Sequence, residues 1–112
     1  MSNVKSLKIY NRAIELVGKI YKLIELNPKL SKDFSLCDQM KRASVSVPAN
    51  ISEGYCRSQK YFKNYLGIAK GSANEMTTHL EIVTLVYQID TNSLCEEYDH
   101  LGRQITAFMN SF

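Results

Sequence analysis

Residues Tyr61 to Ile89 read YFKNYLGIAKGSANEMTTHLEIVTLVYQI. Within this stretch Phe62, Leu66, Ala69, Ala73, Met76, Leu80, Val83 and Tyr87 recur at strictly alternating intervals of four and three. That is the period of one apolar stripe on an α-helix, because residues three and four apart share a face. A strand would alternate at every second residue, and no segment of the chain does so. Ser58 offers a cap at the start, and the helix is expected to run to about Ile89. About 30 residues rising 1.5 Å each make a rod of roughly 45 Å. Tyr61, Tyr65, Ile68, Ile82, Val86 and Ile89 widen its apolar side.

A rod of this kind needs partners of similar length, and the flanking sequence supplies them. From Ser6, one stripe runs Leu7, Tyr10, Ile14, Val17, Tyr21, Ile24, and a second runs beside it through Ile9, Ala13, Leu16, Ile20, Leu23. Asn27-Pro28 ends this helix, since the residue before proline is pushed out of the helical region. Lys32 to Gly54 carries Leu36, Met40, Ala43, Val47 and Ile51, with Pro48 expected to kink it and Gly54 expected left-handed just past its end. After a turn at Asp90-Thr91-Asn92, Ser93-Leu94-Cys95-Glu96 has capping-box spacing. The last stripe is Leu94, Tyr98, Leu101, Ile105, Phe108, Phe112. Short loops between four long helices predict an all-α, up-down-up-down antiparallel four-helix bundle, with residues 1–112 as one domain. Two apolar stripes on a helix exceed what one bundle buries, so a homo-oligomer is expected.

Composition limits the function classes. No apolar run approaches the ~20 residues of a membrane span, and the N-terminus lacks the pattern of a signal peptide. Cys37, Cys56 and Cys95 are odd in number and widely spaced, which suits reduced thiols in a cytoplasmic protein. There is no glycine-rich phosphate loop, no nucleophile elbow and no Cys-x-x-Cys pair. The expectation is therefore no enzyme, no cofactor and no metal.

Two constellations remain. Ser46, Asn50 and Glu53 share a face of the second long helix, while Ser72 and Glu75 interrupt the third. Small residues there would let two backbones approach. In a metal site on Glu53 and Glu75 with His79, Glu75 and His79 are four apart where carboxylate-bridged bundles use Glu-x-x-His, and a second such pair is absent. A buried hydrogen-bonded network that fixes helix register is the favoured reading. The second constellation is basic: Lys41, Arg42, Arg57, Lys60, Lys63 and Lys70 fall around the hairpin between the second and third helices. Residues 1–70 hold thirteen of the fourteen Lys/Arg and five of the eleven Asp/Glu, a balance of +8; residues 71–112 stand at −5. Contact with nucleic-acid phosphates is one reading and a solvated face the other. Most of the seven tyrosines sit in the stripes and read as core or interface residues.

The run from Arg42 through Ser44, Ser46, Pro48, Asn50 and Glu53 to Gly54, followed by Phe62, Leu66, Lys70, Gly71, Ser72 and Glu75, carries a family likeness. It resembles the bacterial four-helix bundle proteins, also called 23S rRNA intervening-sequence proteins. The likeness spans almost the whole chain; Cys56 and the polar Thr77-Thr78-His79 are departures. The resemblance implies a closed bundle, often a ring of five, with no catalytic activity. Some members are encoded within inserts in ribosomal RNA genes. The accessory protein of diversity-generating retroelements is similar, a basic pentamer that binds nucleic acid and a reverse transcriptase. The expected function is a non-catalytic homo-oligomer, a pentamer by this resemblance, that binds structured RNA or DNA through its basic face. The alternative is an oligomeric scaffold for a protein partner, such as a reverse transcriptase, without direct nucleic-acid binding.

Overall fold

The computed structural model describes residues 3–112. A 3-10 turn at Val4–Ser6 leads into α1 (Lys8–Leu26), a one-turn helix α2 (Pro28–Ser31), α3 (Phe34–Tyr55), α4 (Gln59–Tyr87) and α5 (Asn92–Met109). No strand occurs among the described residues. The four long helices run antiparallel in the cyclic order α1, α3, α4, α5, and the body measures 44 × 20 × 20 Å. Its long axis equals the ~44 Å that the 29 residues of α4 span at 1.5 Å each.

The predicted stripe of α4 is buried from Phe62 to Val83, as is that of α3 from Leu36 to Ile51. On α5, Tyr98, Leu101 and Ile105 are buried, and Leu94, Phe108 and Phe112 pack half-buried on the same core. On α1 the core takes Ile9, Ala13, Leu16, Ile20 and Ile24. Of the companion stripe, Ile24 is buried, Leu7 and Tyr10 pack half-buried on the core and Val17 is half-buried, while Ile14 is 47% and Tyr21 43% exposed. One bundle therefore leaves the middle of the second stripe partly uncovered.

Four local expectations are corrected. The chain between Pro28 and Phe34 is not loop alone: proline starts α2, where its missing N–H costs nothing. Asp33 then caps α3 by accepting from the Leu36 amide at 3.1 Å, so α3 begins at Phe34 rather than Lys32. Gly54 lies inside α3, and no described glycine has positive φ. It is needed for proximity, since a Cβ there would stand 2.6 Å from Tyr65 Cβ and 3.0 Å from Phe62 Cδ1. The left-handed cap is Gln88, φ 55°, which closes α4 after Tyr87. The capping box at Ser93 does not form. Thr91 precedes α5, and its buried hydroxyl donates to the Leu80 carbonyl at 2.9 Å, tying the turn back to α4.

α3 runs unbroken through the buried Pro48. At the α2–α3 corner the buried Cys37 thiol donates to the Leu30 carbonyl at 3.0 Å, and Tyr87 donates its hydroxyl to Asp33 at 2.7 Å.

Candidate nucleic-acid interface

Antiparallel packing brings the start of α1, the α3–α4 hairpin and the end of α5 to one end of the bundle. The half formed by residues 3–17, 46–73 and 103–112 contains Lys5, Lys8, Arg12, Arg57, Lys60, Lys63, Lys70 and Arg103 against only Glu15 and Glu53. The other half has six Lys/Arg against nine Asp/Glu. The charge asymmetry of the sequence, N-terminal basic and C-terminal acidic, thus becomes a polarity along the long axis. Glu96, Glu97 and Asp99 lie in the first half of α5, and where the two halves meet Arg12 reaches Glu97 at 3.6 Å and Arg103 pairs with Asp99 at 2.8 Å.

The six basic positions picked out by spacing do not form one patch. Arg57, Lys60 and Lys63 share the hairpin end. Arg57 donates to Glu53 at 2.7 Å, and its guanidinium lies 5.4 Å from the Tyr65 ring centroid. The Glu53 hydrogen bond, before the nearby Tyr65 hydroxyl, raises the Arg57 pKa further. Lys60 is exposed, and the Lys63 ammonium lies 5.5 Å over the Phe112 ring. That ring stacks on Phe62 at 5.6 Å, with Phe108 edge-on, which anchors the chain end to the tip. Lys70 lines a groove between α4 and α5 beside Asp99. Lys41 lies over the Tyr21 ring of α1, and Arg42 reaches Asp38 at 4.0 Å. Fifteen residues separate Arg42 from Arg57, roughly 22 Å along α3.

The polar constellation is also only partly assembled. The Ser72 hydroxyl donates to the Ser46 hydroxyl at 2.9 Å, and the Asn50 amide donates to the Ser46 carbonyl and hydroxyl at 2.8 and 2.9 Å. These three residues join α3 to α4 across a half-buried seam. Glu53 and Glu75 stand outside this network: Glu53 pairs with Arg57, and Glu75 pairs with His79 at 2.9 Å. Their side chains are 55% and 54% exposed, because each carboxylate finds its partner one turn along its own helix rather than across the seam. Beside the network, Gln39, Arg42, Ala43 and Glu75 complete a groove of about 380 Å³. Gly71 has open space around it, so close helix approach is the work of Gly54. Among the described residues no three His, Cys, Asp or Glu side chains cluster as metal ligands would.

Spacing missed Lys5, Lys8, Arg12 and Arg103 as members of the basic end. The available signal was topological: in an up-down bundle the first and last segments meet the middle hairpin. No described helix is long and apolar enough to cross a membrane.

Comparison with solved structures finds a protein of unknown function from the S23 ribosomal protein family of Bacteroides thetaiotaomicron VPI-5482. It is 24% identical, with a TM-score of 0.82 over 90% of this chain and 97% of that one, a likeness of fold. No curated protein matches. The family model described as 23S rRNA-intervening sequence protein matches residues 5–107. With the bundle and the match extending over nearly the same residues, the chain belongs to the 23S rRNA-intervening sequence protein family.

Proposed function

We propose that this protein is a non-catalytic homo-oligomer that binds RNA or DNA through the basic end of its bundle. The observation that carries the reading is the axial charge polarity, eight Lys/Arg against two Asp/Glu in the half around the α3–α4 hairpin. Lysines such as Lys60 stand exposed there, free to replace counterions along a phosphate backbone. No side chain at this end is arranged to read base edges in a groove, so binding is largely independent of base-pair sequence.

Assembly multiplies the effect. Ile14, Tyr21 and Val45 are exposed on the α1–α3 side, and Ile68, Ile82 and Val86 along α4. Covering these surfaces with further copies would bring several basic ends together. Each subunit then needs only one or two phosphates for the assembly to reach roughly 5–10. The family resemblance suggests a ring of five.

The test measures RNA and DNA binding from ~50 to ~200 mM salt, where phosphate contacts weaken markedly. Log affinity is expected to fall linearly with log salt, and Lys60→Glu with Lys63→Glu should reduce both affinity and slope. Binding of neither polymer at low salt, or an unaffected double variant of native fold and mass, refutes the reading. One observation favours a scaffold instead: Phe34 is 80% and Leu85 77% exposed in the acidic half, as an apolar contact for a protein partner would be.

A further inference from the structure

The basic end displays two aromatic rings that phosphate binding leaves unused. Tyr61 is 55% exposed and Tyr65 is half-buried, one turn apart on α4. Sequence spacing assigns both to the flank of an apolar stripe, but the fold places them beside Arg57 and Lys60. The Arg57 guanidinium lies over the face of Tyr65, 5.4 Å from its ring centroid. Its charge is already offset by Glu53, so it steadies a ring more than it recruits a phosphate.

We propose that Tyr61 and Tyr65 form a stacking platform for unpaired nucleobases, with Lys60 and Lys63 on the adjoining phosphates. This rests on the nucleic-acid reading above and narrows it to single-stranded segments, including loops of a structured molecule. The physical reason is accessibility: a duplex buries the faces of its bases and presents mainly phosphates, whereas an unpaired strand can lay a base on a ring. Four residues at 1.5 Å separate the rings by about 6 Å along the helix, wider than the ~3.4 Å rise of a stacked strand. Tyr61, and the part of the Tyr65 ring that Arg57 leaves open, therefore each take their own base from a stretched strand. Any base has a flat face, so the platform tolerates sequence. RNA and DNA share this chemistry.

The experiment compares the intact protein with short single-stranded RNA, single-stranded DNA of equal length, and a duplex of equal phosphate count, at low salt by fluorescence anisotropy. Single strands should bind more tightly than duplex. Tyr61→Ala should weaken single-strand binding by about fivefold or more, leave duplex binding within about twofold, and be rescued by Tyr61→Phe. Tyr61→Leu keeps apolar bulk without the flat ring; it should behave like Tyr61→Ala and covers the case in which the alanine variant loses stability. Equal affinity for duplex and single strands, or single-strand binding that survives both substitutions, overturns the platform while the basic-end reading stands. Binding of no polymer at low salt removes both. Preference between the RNA and DNA strands identifies the source of the bases.

Discussion

Replacing Gly54 by alanine asks whether α3 and α4 meet as closely as the structure shows. The added Cβ would sit 2.6 Å from Tyr65 Cβ, where ordinary contact begins near 3.4 Å. Tyr65 Cβ is fixed to the α4 backbone, so no rotamer relieves the clash, and the helices must part by roughly 1 Å. Overpacking of this kind costs about 1–3 kcal/mol. Against it stands the better helix propensity of alanine, worth at most ~1 kcal/mol. The net loss should be on the order of 1–2 kcal/mol, or roughly 4–8 °C in Tm for a domain near 100 residues. Gly67→Ala is the matched control. Gly67 lies inside α4, exposed, with nothing within 4 Å of its would-be Cβ, so only the propensity gain of ~1 kcal/mol applies. The two substitutions should move stability in opposite directions. Thermal melts by far-UV circular dichroism at fixed protomer concentration measure both. If Gly54→Ala stabilises the protein as Gly67→Ala does, the close approach is wrong and α3 and α4 are farther apart there.

Other expectations follow from individual contacts. Tyr98 is fully buried and its hydroxyl has no partner among the described residues, so burial raises its pKa. Tyr98→Phe should therefore be neutral or stabilise by up to ~1 kcal/mol, read as an upward shift of the urea midpoint. Asn50→Leu removes two hydrogen bonds from a half-buried seam and should destabilise by about 1 kcal/mol; an unchanged midpoint would make the Ser46–Asn50–Ser72 network incidental. The Tyr87 hydroxyl, and after it the Leu36 amide, hold the Asp33 carboxyl below its ordinary pKa, while Asp33 raises that of Tyr87. The carboxylate's contribution is thus present above the unfolded value near 3.9 and lost as pH falls through the lower folded value. Tyr87's contribution is present below about 10 and lost as pH rises further. Tyr87→Phe should destabilise at neutral pH and much less near pH 2, and a pH-independent difference would refute the pairing. Glu53→Gln frees Arg57 from its ion pair, and nucleic-acid affinity at low salt should rise rather than fall.

The helices were legible in the sequence because burial writes a period of 3.6 residues into the side chains. The strict spacing from Phe62 to Tyr87 left no other element possible, and Ser46 and Ser72 met across the seam as their register suggested. What spacing could not tell was which of two equivalent stripes on α1 faces inward. Ile14 and Ile9 are equally apolar, and only the neighbouring helices decide between them. Gly54 shows the same limit: a glycine near a helix end suits a left-handed cap or a close crossing, and the distinction lies in the distance to Tyr65. The basic end was hidden for a different reason. Lys5 and Arg103 are almost a hundred residues from one another, and charge counted along the chain does not show that both belong to the end carrying Lys60.

The corner where α2 meets α3 gives the molecule a chemical clock. Cys37 is buried with its thiol bonded to Leu30, and burial followed by the Asp33 charge holds that thiol in its protonated, unreactive form. Cys56 is exposed at the far end of the same helix. A thiol reagent will modify Cys56 at once, and will reach Cys37 only when the corner opens. Cys95 is half-buried on α5 and gives a third event, so the labels are assigned by site, and the lag from Cys56 to Cys37 then reports how often this joint of the bundle comes apart. No probe has to be introduced to read it.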